Sequence, residues 1–306
     1  NTNTANGNFA INGAATSQRG VRMLSLGGLY GEFTCDATLD MGADNSSSAG
    51  AITVADYEAS TTTSFIYVGG LIGHADGEAS LSLSKPKWSS NITFNISGAN
   101  SAAMVLGVGG VVGALGLMQS DVVEGGHLTI EGAETNGTMT FNTNTGYTMQ
   151  HKTAGIGGVA GFVSTGGATL LDCTSSVLIQ QPKSCARSNG YAQHMGGIVG
   201  CIAGGDSEIS GCTNIGEIDN EHYNNNPWKS DGLQSGSVGG IIGAYAYNND
   251  YDASIKIENC TNTAGVRSYR GMAGGIAGYV RNGEISGCNN TGTMANGSRS
   301  YVAGIV

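Results

Sequence analysis

One short pattern governs what this chain can fold into: aliphatic-Gly-Gly-aliphatic-aliphatic-Gly, as in Val238-Gly239-Gly240-Ile241-Ile242-Gly243. It recurs with its second glycine at Gly28, Gly70, Gly110, Gly158, Gly197, Gly240 and Gly275, and a clipped eighth copy centres on Gly304. Those glycines step by 42, 40, 48, 39, 43, 35 and 29 residues. Self-similarity at such a period marks a solenoid, a propeller or an array. The aliphatic residue that follows never fails: Leu29, Leu71, Val111, Val159, Ile198, Ile241, Ile276 and Ile305.

A second element trails each motif after a variable loop. Its rule is an apolar residue, cysteine three on, a polar residue two later, a small one two later, then an apolar one. This aligns Cys173, Cys212, Cys260 and Cys288, and behind them Asn214, Asn262 and Asn290. An earlier copy keeps the spacing with Ala133 in the cysteine's place, and residues 80–98 offer Leu81/Leu83 and Ile92/Phe94/Ile96 instead. Two short strands and a loop strand per repeat predict an all-β chain. The expected form is a three-sided, right-handed parallel β-helix of about eight coils with long loop insertions. Coils stacked ~4.8 Å apart would make a rod roughly 40 Å long. A β-propeller is the main rival, with blades of ~40–45 residues. The cysteine-to-asparagine corner and the 29-residue step favour coils. Residues 1–20 are expected to be a polar tail or cap, and 21–306 one elongated solenoid domain. With no polar cap after Gly304, that end is expected to be open or to continue.

Read as one strand of period 2, the motif has two apolar faces. Leu71 and its equivalents line the interior. The opposite face carries Val68, Ile72, Val108, Val112, Met195, Val199, Val238 and Ile242. An outward stripe of this kind exceeds what a monomer normally exposes. It is therefore expected to be covered, by the chain's own loops or by a neighbouring subunit.

Charged residues are only 12% and the net charge is −10, so the basic stripe that a phosphate backbone wants is missing. The acidic balance disfavours anionic membrane surfaces. No apolar run is long enough to span a bilayer, so neither nucleic-acid binding nor membrane insertion is expected.

The cysteine column admits metal ligation or disulfides, but residues stacked in parallel coils point the same way. An inward packing ladder is the better reading, and no metal or cofactor is expected. Cys185 and Cys201, off that column, leave a bridge between them open. Stacked asparagine amides are expected to bond one another at a buried corner. The five histidines, at 74, 127, 151, 194 and 222, lack zinc spacing, and no Gly-x-Ser-x-Gly elbow is present. Asp206, Glu208, Asp250 and Asp252 are the candidate acids for a polysaccharide-cleaving β-helix. Trp88, Trp228, Tyr245, Tyr247, Tyr251 and Tyr279 are the candidate sugar-stacking rings. Both sets are scattered. An outward threonine array of the kind an ice-binding surface needs shows no register in the sequence.

The core Gly70-Leu71-Ile72-Gly73, repeated at Gly197-Ile198-Val199-Gly200, resembles the GLUG motif of large bacterial surface and secreted proteins. By repetition the resemblance covers nearly the whole chain, though each motif is short and Ala303 departs from it. It implies a secreted or cell-surface location with structural or adhesive work, and it supplies no catalytic residues. The expected function is thus an extracellular structural or adhesive solenoid, not an enzyme, that self-associates end to end or laterally. Glycans or a host surface are its further expected partners. The alternative is a carbohydrate-active or glycan-binding β-helix.

Overall fold

The computed structural model describes residues 3–5, 9–12, 23–34, 39–40, 46–48, 50–59, 64–76, 80–98, 104–119, 122–124, 126–143, 154–181, 194–221, 236–245, 252–269, 271–296 and 300–306. Among them there is no helix, and the strands assort into stacked sheets whose pairing is parallel throughout. The one exception is a small antiparallel pair, Leu117–Gln119 with Val122–Glu124.

Each repeat contributes to four sheets rather than three. In the second copy, Ser64–Gly69 lies in sheet I, Ile72–Asp76 in sheet II, Leu81–Ser84 in sheet III and Lys87–Gly98 in sheet IV. Sheet I holds eight described strands and sheets II and III seven each. Equivalent residues pair directly across rungs: Val68 with Val108, Val108 with Ile156, Ile156 with Met195, and Met195 with Val238. Residues 3–5 and 9–12, within the segment read as a polar tail or cap, pair with Ser46–Ser48 and with Ile52–Ala59 in sheet IV.

The extra side arises because the motif is two strands, not one. Sheet I stops at the first glycine, the next two residues turn the chain, and sheet II begins at the second aliphatic. The turn resets the alternation of faces. Val68 and its equivalents pack against Ile92, Phe94, Met139, Phe141, Ile179 and Ile218 of sheet IV. Leu71 and Ile72, which strict alternation puts on opposite faces, both enter a second core with Leu81, Leu83, Leu128, Ile130 and Leu170 of sheet III. All eight residues of the expected outward stripe (Val68, Ile72, Val108, Val112, Met195, Val199, Val238 and Ile242) are therefore fully buried. What covers them is the chain's own sheets III and IV, neither loops nor a second subunit.

Sheets I and II lie back to back. A thin seam of Tyr67, Ala114, Phe162, Cys201, Ala203 and Ala244 separates them. Between these side chains the backbones touch: a Cβ on Gly113 would lie 2.6 Å from the backbone of Val68. The second glycine of each motif points elsewhere, into the corner where sheet III becomes sheet IV. A Cβ on Gly70 or Gly110 would strike Trp88, on Gly158 Ser175, and on Gly197, Gly240 and Gly275 the asparagines Asn214, Asn262 and Asn290. That III–IV corner is turned by a residue with positive φ in every repeat where it is described: Lys85, Gly132, Asp172, Gly211, Asn259 and Gly287, all between 50° and 66°. Glycine, asparagine and aspartate recur there because they occupy this left-handed region most easily.

Two glycines should respond in opposite ways to alanine. Gly197→Ala forces a Cβ into Gly240 and Asn214, and is expected to cost about 2–3 kcal/mol by overpacking. Gly265 has nothing nearer than 3.9 Å to a new Cβ and no positive φ, so Gly265→Ala should be neutral or stabilising by up to about 1 kcal/mol. Urea unfolding midpoints of the two variants check both signs.

Candidate functional site

The most ordered polar feature of the molecule is the corner column that faces the motif glycines. In register it runs Trp88, Thr135, Ser175, Asn214, Asn262 and Asn290, and the backbone pairing continues back through Ser48 and Ala5. The three asparagines form a directional chain. Asn214 Nδ2 donates to Asn262 Oδ1 at 2.8 Å, and Asn262 Nδ2 donates to Asn290 Oδ1 at 2.8 Å. Each amide also closes its own turn two residues on. Asn214 Nδ2 donates to Gly216 O at 3.0 Å, and Gly216 N–H donates back to Asn214 Oδ1 at 3.2 Å. The same exchange joins Asn290 and Gly292. Asparagine favours such local turns because its side chain mimics a backbone group. With Asn214 and Asn262 fully buried, every amide group needs a partner, and the ladder supplies them. In earlier repeats Trp88 fills the space that Asn214 fills later, which places this ring inside the molecule and off any sugar-binding wall.

Beside that column stand Ala133, Cys173, Cys212, Cys260 and Cys288, the first four buried and Cys288 half-buried. Each thiol donates to a carbonyl of its own turn and to one in the preceding rung, as Cys212 Sγ does to Ser210 O at 3.5 Å and Leu170 O at 3.4 Å. Interaction with Cys173 and Cys260, reinforced by burial, pushes the Cys212 thiol far above its usual range. The column is thus one of packed thiols bonded to backbone carbonyls, and Cys212, its pKa raised, is a poor nucleophile. Cys201 lies apart, in the seam between sheets I and II, where burial likewise raises its pKa. Cys201 is a free thiol, so the bridge to Cys185 that the sequence left open is not formed; Cys185 itself falls outside the described residues. Among the described residues no group of three or more His, Cys, Asp or Glu is arranged to hold a metal.

The described histidines stitch neighbouring rungs together. His127 bonds Gly166 O and Thr169 Oγ1 of the next repeat, each at 2.8 Å. His194 Nδ1 accepts from Ser237 N–H at 3.2 Å. His74 is buried, stacked on Tyr67 at 4.5 Å between centroids, with Glu32 4.0 Å from its Nδ1. His151 and His222 lie outside the described residues. Of the four candidate acids, Asp206 accepts the Ser254 N–H at 3.1 Å and Glu208 stands in register with Lys256. Asp252 is exposed, and Asp250 is outside the described residues. Of the candidate sugar-stacking rings, Tyr245 is buried and donates to Gly205 O at 2.8 Å, and Tyr279 is half-buried. Trp228, Tyr247 and Tyr251 fall outside the described residues.

A different charged group does converge, on the outer face of sheet IV. Glu217, Asp219 and Glu221 alternate along one segment, and Arg267 of the next repeat reaches Asp219 at 3.4 Å and Glu221 at 2.9 Å. The cue was present in the sequence as acids at every second position, but only the pairing of Asp219 with Arg267 reveals the cross-rung contact. Burial raises the Asp219 pKa, Arg267 opposes the shift, and the charges of Glu221 and Glu217 add to it. The same wall carries Thr174, Thr213 and Thr261 in one row, with Ser176, Ile215, Thr263 and Thr291 in the next. These rows are short: the first is bounded in register by Glu134 on one side and Asn289 on the other, and Thr138 pairs with Asn91 and Leu178 rather than with threonine.

Removing Asn262 should take one partner each from the amide of Asn214 and the carbonyl of Asn290. Asn262→Ala is expected to lower stability by about 2 kcal/mol, because the buried Asn214 amide loses its cross-rung acceptor and keeps only Gly216 O, while Asn290 Oδ1 keeps the Gly292 N–H. Cys212→Ala, which repeats what Ala133 already does, should cost only about 1 kcal/mol. Thermal or urea unfolding of the pair checks the contrast. Asp219→Asn tests the carboxyl group. A raised folded pKa means that the penalty for ionising is absent in acid and grows as pH rises through the folded value. The variant should match the parent near pH 3 and exceed it in stability at pH 7, as read from melting temperatures across that range.

Comparison with family models and with curated proteins finds no match. Among solved structures, a crystal structure named as that of a "putative immunoglobulin A1 protease" from Bacteroides ovatus is similar at 17% identity, with a TM-score of 0.40. The match spans 90% of this chain and 78% of that one.

Proposed function

We propose that this chain is an extracellular structural and adhesive β-solenoid of about eight right-handed coils, one that associates with further copies of itself into filaments. Right-handedness is the hand that parallel crossover connections take. The supporting observation is the stacking of equivalent residues in columns along one axis, in both cores and, over three rungs, in the asparagine ladder. Such columns give length and stiffness without any single residue doing chemistry. The outer rows of Thr174, Thr213 and Thr261, and of Thr263 and Thr291, repeat one short hydroxyl side chain at the ~4.8 Å rung spacing. A repeated weak contact of this kind engages an extended surface by multivalency. That suits adhesion to a host surface or a glycan layer, and it is the role that the resemblance to GLUG repeats implies.

Negative-stain electron microscopy of the purified protein tests the reading. Rods about 40 Å long that lengthen in multiples on concentration are expected. Uniform short particles at every concentration would remove the filament. Release of reducing ends from a panel of polysaccharides would replace the structural reading with a catalytic one.

A further inference from the structure

Of the described histidines, His74 and His194 are buried, while His127 is half-buried on the outer side of sheet III. Its two ring nitrogens meet different chemistry one rung on. Nδ1 lies 2.8 Å from the carbonyl of Gly166, and Nε2 lies 2.8 Å from the hydroxyl of Thr169. A carbonyl only accepts, so Nδ1 carries the ring proton. In the neutral imidazole Nε2 then keeps its lone pair, and the Thr169 hydroxyl donates to it. The ring is therefore a base, fixed in one tautomer and facing a hydroxyl.

Backbone holds all three groups in place. The His127 carbonyl accepts the Leu81 N–H at 3.0 Å, and the Leu128 N–H donates to Gly167 O at 3.1 Å, so rung bonds flank the ring on both sides. The Gly166 carbonyl belongs to a tight turn in which Gly167 has a φ of 79° and reaches back to Ser164 O at 3.4 Å. The next N–H, that of Ala168, donates to Ser207 Oγ at 3.0 Å. Thr169 is set by its strand, Ala168–Leu171, and is half-buried on the outer face. Thr129 stands beside it in the preceding rung and Glu208 in the following one. The regular stacking is also interrupted here. The antiparallel pair Leu117–Gln119 and Val122–Glu124 leaves the corner between sheets II and III and ends just before His127.

We propose that His127 and Thr169 form a nucleophilic pair that takes a short, uncharged acyl group from an ester and passes it to water. Hydroxyl, base and a third group that orients the base are the general arrangement of an activated nucleophile. Thr169 Oγ1 attacks the ester carbonyl carbon as its proton passes to His127 Nε2. The bond from that carbon to the alcohol oxygen breaks, and the proton leaves with the alcohol. Water then attacks the acyl-Thr169 ester and gives a proton to Nε2, which returns it to Oγ1 as the carboxylic acid departs. Thr129, ~4.8 Å away in register, offers the developing oxyanion a hydroxyl donor. Glu208, one rung to the other side, repels an anionic acyl group, and the two neighbours leave room for a short one. An ester suits the pair better than an amide, because its alkoxide is the easier group to expel. This chemistry is independent of the self-association proposed above.

p-Nitrophenyl acetate is the probe. The parent is expected to release nitrophenolate and, when quenched in acid during the first turnover, to carry an acetyl group that peptide mass spectrometry places on Thr169. Thr169→Val keeps the shape and removes the hydroxyl, and His127→Gln keeps a donor for Gly166 O and removes the base. Each is expected to slow release about 100-fold, with an unchanged melting curve. Acetyl groups found on lysines or the amino terminus and not on Thr169, or either variant as fast as the parent, would overturn the pair. If a variant melts early, the position of the acetyl group in the parent decides alone.

Discussion

Everything in this architecture depends on the close approach of two backbones at the glycine bend. Sheets I and II can lie back to back only because Gly73, Gly113, Gly161 and Gly200 have no side chain where each crosses the neighbouring strand. Were that seam as wide as the ~10 Å between ordinary stacked sheets, sheets I and II could not share one coil with two separate cores on their far sides. The seam makes one coil enclose two narrow cores instead of one broad lumen. Each is thin enough for single Val, Ile and Leu side chains to fill from both walls, and interior packing leaves few voids of its own accord.

A second requirement follows from the first. Once the bend is driven into the III–IV corner, the residue opposite must be shaped to the glycine that it meets. Trp88 satisfies it by bulk, Ser175 by being small, and Asn214, Asn262 and Asn290 by an amide that bonds along the axis and across its own turn. Three chemistries serve one position, and only the last forms a continuous chain. The two shortest motif-to-motif steps, of 35 and 29 residues, both carry asparagine at this position, Asn262 and Asn290. The tightest coils thus coincide with the corner that has the most internal hydrogen bonding.

Much of this was legible from residue spacing. The alignment of Val68, Val108, Ile156, Met195 and Val238, the cysteine column and the asparagine column all follow from counting along the repeat, and the parallel register places them side by side. The number of sides was not. A glycine offers no side chain to assign to a face, so a turn hidden among glycines reads as an uninterrupted strand. Leu71 and Ile72 then separate on paper although they share a core. The left-handed corner was missed for a related reason. Its occupants, Lys85, Asp172 and Asn259 among the glycines, look like ordinary surface residues unless backbone angle is known. The grouping of Asp219 and Glu221 with Arg267 needed the pairing across rungs, since 46 residues or more separate the partners in sequence.

The parallel stacking also decides how the molecule meets a mechanical load. Its inter-strand hydrogen bonds run along the axis, so a pull from end to end loads all the bonds of one rung together, in tension. A sideways tug on a surface loop would instead peel them singly. A tether built this way resists axial strain as a unit, and its weakest plane is whichever rung boundary has the fewest paired groups.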